Sequence, residues 1–475
     1  MRPDTMADRP DILSERAGGC TAEVISTARA FDLLEPAWND LLGKAGATVF
    51  QSFEWNRAWW KYKAGRFDRL HILLFRCDGE IAGIAPLFIH PVRVAGVTVA
   101  RRLTFIGTGL TDYVDILADP RHEAEVFGAL VRLLTTEHSS WDLFDMEDVN
   151  ETSHLVTQVA GMLKEAGLNV YTYQGNVCPY VLLPERAEEL FQASGPASGY
   201  NFRRKQKKLQ SKFSPELRIY RSEGDNLETA IGDFSRVHGG RWKSQGYPSA
   251  FDDPAMQAYH VEFSRQFARR GWLRLYILYA GGEPVATTYN FNYRGRIYMY
   301  HSNAHGPEEL MRCSPGMVVR LTSMADGIAE GMKVFDYLRG DEPYKYRETA
   351  AQESKNYLIR AVSPRRRTMS RFYLFLLTEA VLKSVHRSQR EYYGYRRFVI
   401  TEHPGVAGRM RFVAGVAANL LKVMYDYFYR HSPLRSVRAL AIRLEREERV
   451  SDEPEASGPE NREGDGNTAK EGERP

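Results

Sequence analysis

Residues 272–345 supply four consecutive segments, which read WLRLYILYAGGEPVATTYNF (272–291), GRIYMYHSN (295–303), SPGMVVRLTSMADGIAEG (314–331) and MKVFDYLRGDEPYK (332–345). Two apolar runs joined by Gly281-Gly282 predict a tight β-hairpin, and the second segment adds a third strand. The third segment predicts a helix, and the fourth predicts a strand followed by a charged loop. The stretch therefore predicts an antiparallel meander that leads into a helix and one further strand.

The predicted helix begins with a sequence that suits the binding of an anion. Ser314 is a favourable N-cap residue, and Pro315 is tolerated in the first helical turn because its missing N–H costs nothing there. The amides of Gly316, Met317 and Val318 would then face a ligand at the positive end of the helix dipole. Because the helix follows an antiparallel sheet, the segment is not an ordinary nucleotide-binding βαβ unit.

Length and composition bound the class of protein. The chain has 475 residues, enough for two or three domains, and 43% of them are apolar. Its formal net charge of +4 gives no sign of a nucleic-acid partner. Four scattered cysteines without a CxxC pair predict a reduced compartment, with no structural disulfide and no metal site; they are Cys20, Cys77, Cys178 and Cys313. Since there is neither an apolar signal core nor a run of about 18 apolar residues, we expect a cytoplasmic protein without a transmembrane helix.

Two parts of the chain follow the same pattern. LHILLFRCDGEIAGIAPL begins at Leu70 and LRLYILYAGGEPVATTYN begins at Leu273, and each predicts a hairpin with a two-residue turn. Amphipathic helices are predicted at 122–137 and 316–330, and each is followed by a strand that contains Phe-Asp. The shared order predicts duplication of one α/β unit, although any mixed sheet also produces such hairpins by chance.

The predicted fold class is α/β with a mixed α+β sheet, built as two tandem units at 21–185 and 186–362. Each unit has a central, mostly antiparallel sheet flanked by helices. Caps and apolar spacing predict further helices, which begin near Phe31 and Ser52 in the first unit and lie at 199–212, 226–243 and 254–270 in the second.

The ends of the chain differ from these units. Residues 1–20 and the charged, Gly- and Pro-rich residues 451–475 predict disorder. Residues 363–450 predict a basic helical extension, since 360–449 contain 19 Lys and Arg residues against 7 Asp and Glu residues. Helices of this kind lie on anionic membrane surfaces, dock on a partner such as a polysaccharide synthase, or cap the second unit.

Several segments together match a known family in their order along the chain. They are Phe53-Glu54-Trp55, Ala85-Pro86-Leu87, Asp112-Tyr113-Val114-Asp115, Asn201-Phe202-Arg203-Arg204, His238-Gly239-Gly240-Arg241-Trp242, Pro284-Val285-Ala286, Ser314-Pro315-Gly316 and Tyr337-Leu338-Arg339-Gly340-Asp341-Glu342-Pro343-Tyr344-Lys345. On these segments, about residues 25–362 resemble the BioF2-like acetyltransferase domain of the GNAT superfamily, of the cellulose-biosynthesis-associated acyltransferase type. They also resemble the related Fem-type aminoacyl transferases, which carry two GNAT units in one chain.

The resemblance implies an N- or O-acyltransferase that moves an acetyl or other acyl group from acyl-CoA to an amine or hydroxyl group, with a saccharide as the acceptor and no metal. It places the diphosphate of the CoA on Ser314, Gly316, Met317 and Val318. The usual GNAT diphosphate loop, a basic residue or Gln followed by G-x-G, is absent from this sequence. Acetyl-CoA, another acyl-CoA and an aminoacyl-tRNA therefore all remain open as donors.

Three residues are candidates for acid–base catalysis. His238, near the end of a predicted helix, and Asp341, after the last core strand, are candidates for the group that accepts the acceptor's proton. Tyr344 is the candidate acid for the departing thiolate. The alternatives are a helix C-terminus that complements its dipole and a solvated loop with a local ion pair.

Five further residues are candidates for substrate binding. Arg241 and Trp242 follow His238 on the predicted helix, and Lys345 is expected to pair with Asp341 or to bind phosphate. The other two, Asp112 and Asp115, bracket Tyr113 on a predicted strand and are expected to line an acceptor cleft between the units. His301 and His305 also lie near the third strand, where a histidine more often serves packing.

A basic run offers a second kind of function. Arg203, Arg204, Lys205, Lys207 and Lys208 enter a predicted helix and suit CoA phosphates, RNA, a lipid headgroup or simply solvent. A Fem-type transferase would use this run to bind charged tRNA, whereas the CoA-dependent enzyme needs no nucleic acid. A third alternative is a non-catalytic adaptor for a polysaccharide synthase. In the CoA-dependent alternative the first unit is expected to be degenerate.

Overall fold

The computed structural model describes residues 19–94, 96–136, 140–190, 196–244, 249–349, 351–379 and 381. The disorder expected at the two ends therefore falls outside the described residues, except that the first strand already begins at Cys20. Most of the basic extension predicted at 363–450 also lies outside them.

The first half of the chain contains nine strands and five helices among the described residues. They are β1 (Cys20–Ile25), α1 (Ala28–Leu33), α2 (Glu35–Lys44), α3 (Phe53–Lys63), β2 (Arg69–Leu70), β3 (Ile72–Cys77), β4 (Glu80–Ala85), β5 (Leu87–Val94), β6 (Val97–Phe105), β7 (Leu117–Ala118), α4 (Glu123–Thr136), β8 (Leu143–Asn150), α5 (Ala160–Glu165) and β9 (Asn169–Leu182). The two strands of the hairpin predicted from Leu70 are confirmed as β3 and β4.

The second half repeats the order of hairpin, strand, helix and strand. Its elements are α6 (Pro196–Phe213), β10 (Glu216–Tyr220), α7 (Leu227–Ser244), α8 (Pro254–Arg269), β11 (Leu273–Ala280), β12 (Glu283–Tyr293), β13 (Arg296–Ala304), α9 (Glu308–Met311), α10 (Pro315–Ala329), β14 (Val334–Asp336), α11 (Pro343–Arg347), β15 (Gln352–Val362) and a last described helix, α12 (366–379). The helices predicted in this half are confirmed as α6, α7, α8 and α10.

Local signals in the sequence explain where several helices begin. The Ser52 hydroxyl accepts a hydrogen bond from the Trp55 amide at 3.3 Å, which caps α3. Asp253 accepts from the Ala255 amide at 2.9 Å, and Pro254 occupies the first position of α8. These caps satisfy amides that the helices themselves leave unpaired.

The strands form two sheets. One has four strands in the order β1-β3-β4-β7, and the other has eleven in the order β10-β11-β12-β13-β14-β9-β15-β8-β6-β5-β2. Most neighbours are antiparallel, but β6 runs parallel to β8 and β13 runs parallel to β14. The large sheet therefore passes through both halves of the chain.

The two halves exchange their last strands. β9 belongs to the first half in sequence but pairs with β14 of the second half, while β15 of the second half pairs with β8 of the first. β9 and β15 also pair with each other over most of their length. Each half therefore depends on the other to cover an open strand edge.

The hydrophobic core is shared as well. Trp55 of α3 is completely buried and packs on Phe263 of α8, with ring centroids 5.0 Å apart. It also approaches Phe291 of β12 at 6.1 Å. The largest apolar cluster thus contains residues of both halves, which adds packing to the strand exchange.

Two expectations drawn from the sequence were wrong. Cys20 and Cys77 are paired across β1 and β3 and form a disulfide, because the register places them directly opposite each other. Cys178 and Cys313 are free and buried. The segment from Asp112 to Asp115 is a loop, not a strand, and pairing resumes only at β7.

The described helices include none that is both long enough and apolar enough to cross a membrane. The helix α12 instead packs on the sheet through Phe372, Phe375 and Leu376. Its Glu379 carboxylate pairs with Arg360 of β15 at 3.0 Å, and that guanidinium also donates to Asp145 of β8 at 2.9 Å. Arg360 therefore ties β15, β8 and α12 together at a position without solvent exposure.

Replacing Arg360 with Ala should lower the free energy of unfolding by about 3 kcal/mol, because Asp145 would lose one of its two buried partners and Glu379 would lose its arginine. Urea unfolding followed by circular dichroism measures this loss. The matched control is Arg218→Ala, which removes an exposed ion pair with Glu216 on β10 and should leave the unfolding midpoint unchanged. Equal midpoints for the two variants would contradict the structural role of Arg360.

Candidate active site

The parallel strands β13 and β14 separate towards their carboxyl ends. They are paired only from Arg296 to Tyr298, opposite Val334 to Asp336. β13 then continues to Ala304, while the chain leaves β14 and turns away. A cavity of about 380 Å³ occupies the space beside the divergent ends.

Several elements line this cavity. The helix α7 contributes His238, Arg241 and Trp242, and α8 with the turn before it contributes Phe251, Met256 and His260. The strand β13 contributes Met299, Tyr300, His301, Ser302 and Asn303, and the segment after β14 contributes Leu338, Arg339, Tyr344 and Lys345. The first half adds Gly109, Leu110 and Asp112. The structure thus brings together six residues that the sequence singled out, which are Asp112, His238, Arg241, Trp242, Tyr344 and Lys345.

A β-bulge lies in the strand that forms the cavity wall. Tyr289 of β12 is opposite His301, but the next residue, Asn290, is opposite Met299. Tyr300 is therefore the extra residue, and a bulged residue leaves its backbone groups outside the ladder and changes the direction of neighbouring side chains. The bulge places Tyr300 and His301 together at the cavity.

Both ring nitrogens of His238 are already used. Trp242 Nε1 donates to His238 Nε2 at 3.0 Å, so the proton lies on Nδ1, which donates to the Ser249 hydroxyl at 2.9 Å. Burial, followed by the nearby Arg241 charge, lowers the pKa of His238 to about 4. This geometry favours a positioning role over the role of proton acceptor that the sequence suggested.

Two imidazoles of the site lack a hydrogen-bond partner within the described residues: that of His260, which is almost fully buried, and that of His301. The His301 ring contacts Tyr300 at 4.4 Å and His238 at 5.9 Å, and it makes no hydrogen bond within the part of the chain that the structure describes. Burial lowers the pKa of His301 to about 3, with smaller effects from His238 and Arg339. The ring is therefore neutral at physiological pH, although the same low pKa makes it a weak base. The sequence did not indicate an unpaired imidazole here, because a histidine on a strand usually packs.

Arg241 supplies a positive charge to the cavity. Its half-buried guanidinium forms no ion pair or hydrogen bond with the described residues. An arginine without a protein partner can bind a carboxylate or phosphate through a bidentate pair of hydrogen bonds. Arg241 therefore lines the cavity, and its role in substrate binding stays a prediction.

A buried arginine packs against the ring of Tyr344. Arg320 of α10 lies 4.3 Å from the Tyr344 ring and makes a two-pronged ion pair with Glu348, at 2.8 and 2.5 Å. The same guanidinium donates to the Ser302 hydroxyl at 2.9 Å. Burial raises the pKa of Tyr344, so its hydroxyl stays protonated and can donate a proton.

The first half closes one side of the cavity through an ion-pair network. Arg339 Nε lies 2.7 Å from Asp112, and Arg339 Nη1 lies 2.9 Å from Asp148. Arg339 Nη2 also donates to the Gly109 carbonyl at 3.3 Å. The burial of Asp112 raises its pKa, while Arg339 acts in the opposite direction. Asp112 is thus engaged in holding the two halves together at the site.

Two residues after β14 differ from their expected arrangement. Lys345 does not pair with Asp341: its buried Nζ lies 2.7 Å from Glu342 and donates to the carbonyls of Arg339 and Gly340 at 2.9 and 3.1 Å. Asp341 is exposed and lies outside the cavity lining. The geometry gives Lys345 a structural role and leaves Asp341 away from the other candidate residues.

Asp112 and Asp115 do not share one cleft, contrary to the expectation from the sequence. Asp115 faces a second cavity, which lies on the other side of Tyr113. Burial raises the pKa of Asp115 to about 6. The loop between them turns the two carboxylates in different directions.

At the start of α10, two of the four residues predicted to bind an anion have a backbone amide without a backbone partner. The Ser314 amide donates to the Met311 carbonyl at 2.8 Å, and the Val318 amide donates to the Ser314 carbonyl at 3.1 Å. The amides of Gly316 and Met317 have no backbone partner in the described chain, and both residues are half-buried. Ser314 has a left-handed backbone with φ of 53° and makes no side-chain cap, so the expected capping hydrogen bond is absent.

The basic run lies on α6, which packs against α10. Lys205 Nζ donates to the carbonyl of Arg312, in the turn just before α10, at 2.5 Å. Arg203, Arg204, Lys207 and Lys208 are exposed on the same helix. Their charge adds to the positive end of the α10 dipole. No group of three or more His, Cys, Asp or Glu side chains suited to a metal occurs within the residues that the structure describes.

Comparison with known proteins identifies the class of the second half. Residues 198–346 match the family model described as an acetyltransferase (GNAT) domain. This segment contains α6 to α11 and most of the cavity lining. The second half is thus similar to a GNAT acetyltransferase domain. No curated protein sequence matches the chain.

Among solved structures, FemX shares the fold, and two others are similar at lower scores. FemX has a TM-score of 0.51 at 10% identity, over 68% of this chain and 95% of its own. The C-terminal domain of a putative lysylphosphatidylglycerol synthetase from Agrobacterium fabrum scores 0.45 at 9% identity, over 74% and 97%. A tandem GNAT protein from the clavulanic acid biosynthesis pathway scores 0.38 at 12% identity, over 72% and 99%. The predicted α/β fold class, with a mixed and mostly antiparallel sheet flanked by helices, is confirmed.

Replacing His238 with Asn should reduce the loss of stability in acid. The pKa of His238 is about 4 when folded and near its ordinary 6.5 when unfolded, so the unfolded chain binds the extra proton between these values. His238 therefore makes the free energy of unfolding fall as pH decreases from 6.5 to 4, by about 3 kcal/mol at most. Urea unfolding of both proteins across this pH range measures the difference. Parallel curves would show that His238 is not buried in its neutral form.

Proposed function

We propose that the protein is an acyltransferase that moves an acetyl or longer acyl group from acyl-CoA to an amine or hydroxyl group. The observation that carries the proposal is the free imidazole of His301, placed beside a β-bulge where β13 and β14 of a GNAT domain diverge. Acyl transfer needs a proton acceptor, donors for the developing oxyanion and a means of holding two substrates together. The cavity supplies groups for each task.

The start of α10 and the basic face of α6 fit the diphosphate of CoA. Gly316 and Met317 offer two unpaired amides at the positive end of a 15-residue helix. The exposed cations of α6 lie beside that helix and would add phosphate contacts. The donor would supply an activated thioester, and its acyl end would reach the cavity next to Asn303, because Gly316 packs against Ala304 at the end of β13.

Side chains of the cavity provide the chemistry. His301 would accept the proton of the attacking amine or hydroxyl, since its ring is neutral and unpaired. Backbone N–H groups at the Tyr300 bulge would stabilise the oxyanion. Tyr344 would donate its proton to the departing thiolate, and Arg320 would hold the Tyr344 ring in place.

Arg241 supports an acceptor that carries an anionic group, such as a phosphate or carboxylate near the reacting atom. The further assignment to a saccharide in polysaccharide biosynthesis rests on the family resemblance of the sequence alone. A cytoplasmic location is likewise expected from the sequence alone.

Contact with a membrane surface is a further part of the proposal. α12 exposes Tyr373, Leu374 and Leu377, and three arginines, Arg365 to Arg367, lie at its beginning. Exposed apolar side chains next to basic ones suit an anionic lipid surface.

Replacing His301 with Gln should lower kcat/KM by about 100- to 10,000-fold, because proton transfer by a positioned side chain contributes this much. Thiol release from acetyl-CoA, measured with a panel of amino sugars and oligosaccharides, gives the rate. Asp341→Asn is expected to keep its activity, since its carboxylate lies outside the cavity. If the His301 variant keeps its activity and the Asp341 variant loses it, Asp341 is the proton acceptor instead of His301.

Replacing Gly316 with Glu should weaken acyl-CoA binding by at least about tenfold, because a carboxylate at the start of α10 would repel the diphosphate. Calorimetry with acetyl-CoA and longer acyl-CoAs measures the affinity and the preferred chain length. The control is Gly161→Glu on the exposed face of α5, where an added side chain meets open space. Equal affinity of the wild type and the Gly316 variant for acyl-CoA would show that α10 is not part of the donor site.

An aminoacyl-tRNA donor is the second candidate function. The exposed cations on α6 favour it, because a phosphate backbone binds such a surface, and the likeness to the FemX fold is compatible with it. Filter binding with labelled aminoacyl-tRNA distinguishes the two donors, and charge reversal at Lys207 and Lys208 should abolish retention of the tRNA. A protein that binds neither donor would be the non-catalytic adaptor.

A further inference from the structure

The imidazole of His260 lines the candidate active site and has no hydrogen-bond partner among the described residues. The residue is 1% exposed on α8, and its Nδ1 atom is completely enclosed without a partner. The Nε2 atom is not enclosed in this way, so it is the nitrogen that a molecule in the cavity can reach. The proposed acyl transfer has so far given His260 no task.

Phenylalanine and tyrosine rings surround His260. The rings of Phe251, Phe263 and Tyr259 lie 4.6, 4.9 and 5.4 Å from the imidazole, measured between ring centroids. An apolar side chain would fill this place without burying a polar atom that lacks a partner, which is destabilising. A ligand that pairs with the imidazole from the cavity would offset this cost.

The position of the proton on the His260 ring follows from its surroundings. Burial, with smaller effects from His301 and His238, lowers the pKa of His260 well below its ordinary value, so the ring is neutral and carries one proton. An enclosed N–H without an acceptor is rarer in proteins than an enclosed acceptor without a donor. The proton therefore lies on Nε2, and His260 presents an N–H donor to the cavity.

His260 and His301 face the same part of the cavity from two different elements. Their ring centroids are 6.1 Å apart, and the two rings lie 5.8 and 4.4 Å from the ring of Tyr300, the bulged residue. Hydrogen bonds of ~3 Å from each imidazole span the space between them. Two substituents of one tetrahedral carbon fit into this space, each paired with one of the imidazoles.

We propose that His260 donates a hydrogen bond from Nε2 to the carbonyl oxygen of the acyl group and stabilises the oxyanion that forms there. The proposal rests on the proposed acyl transfer, and it adds a side-chain donor to the backbone N–H groups of the bulge. A neutral imidazole suits this task, because it polarises a carbonyl group without giving up its proton.

The proposed step needs no reagent beyond the two substrates. The attacking nitrogen or oxygen forms a bond to the carbonyl carbon, the π electrons move to the carbonyl oxygen, and the released proton passes to His301. The oxyanion accepts the hydrogen bond from His260, and its electrons then form the carbonyl group again as the carbon–sulfur bond breaks. The thiolate takes the proton of Tyr344, and His260 is unchanged at the end of the reaction.

The ¹³C NMR resonance of the carbonyl carbon in bound, labelled acetyl-CoA and octanoyl-CoA tests the proposal without an acceptor. A hydrogen bond to the oxygen withdraws electron density from the carbon, so the bound resonance should lie downfield of the free one. His260→Leu removes the donor and should return the resonance at least halfway to the free value. In turnover with an acceptor, the same variant should lower kcat by about 100- to 1,000-fold with little change in KM.

Three further variants separate hydrogen bonding from packing. A Gln side chain places its amide nitrogen near the position of Nε2, whereas an Asn side chain places it near that of Nδ1. His260→Gln should therefore keep most of the downfield shift, and His260→Asn should lose it. The matched control is His71→Leu, since His71 is also buried with an unpartnered nitrogen but lies outside the cavity lining; it should leave the resonance unchanged.

Equal downfield shifts in the wild type and in His260→Leu would overturn the role of His260 and leave the acyl transfer in place. A bound resonance at the free value in the wild type would do the same. If His260→Leu does not fold, equal shifts in His260→Gln and His260→Asn would overturn the role. Failure of the wild type to bind either acyl-CoA would contradict the proposed function itself, and the role of His260 with it.

Discussion

The exchange of β9 and β15 is the constraint on which the rest of the structure depends. A strand edge with unpaired amides and carbonyls is unstable in a globular protein, and each half has one such edge, at β8 or at β14. The other half covers it, and the Arg360–Asp145 pair fixes the register of β15 against β8 at a buried position. The two halves consequently form one folding unit, although the sequence repeats a single pattern twice.

The same exchange explains why the candidate active site belongs to both halves. Once β9 lies beside β14, the loop that follows β6 is held against the segment after β14, where Arg339 pairs with Asp112 and Asp148. Burial at this junction keeps His238 and His301 neutral, because water is no longer available to solvate an imidazolium ion. The electrostatic state of the site thus follows from the way the sheet is assembled.

Local patterns in the sequence predicted the helices and hairpins well, because caps, turns and apolar periodicity act over a few residues. They did not predict the strand exchange, because the sequence of β8 does not indicate which strand pairs with its open edge. The same limit applies to Asp112 and Asp115, which are close in sequence but face different cavities. Six candidate residues lie at one cavity, whereas the position of His301 there depends on a bulge that arises only when β12 and β13 pair. The disulfide between Cys20 and Cys77 depends in the same way on the register of β1 against β3.

The two cavities differ in the side chains that line them. The candidate active site lies where β13 and β14 diverge, next to a capped 3₁₀ turn at 249–252, and a similar turn at 48–51 borders the second cavity. Five imidazole and guanidinium groups enter one cavity, from His238, Arg241, His260, His301 and Arg339, whereas the other is lined by no imidazole. Proton transfer needs a titratable group whose pKa burial can shift. Because the hydrogen bond between Tyr113 and Asp336 lies between the two cavities, the two kinds of lining can differ without disturbing the sheet that supports them both.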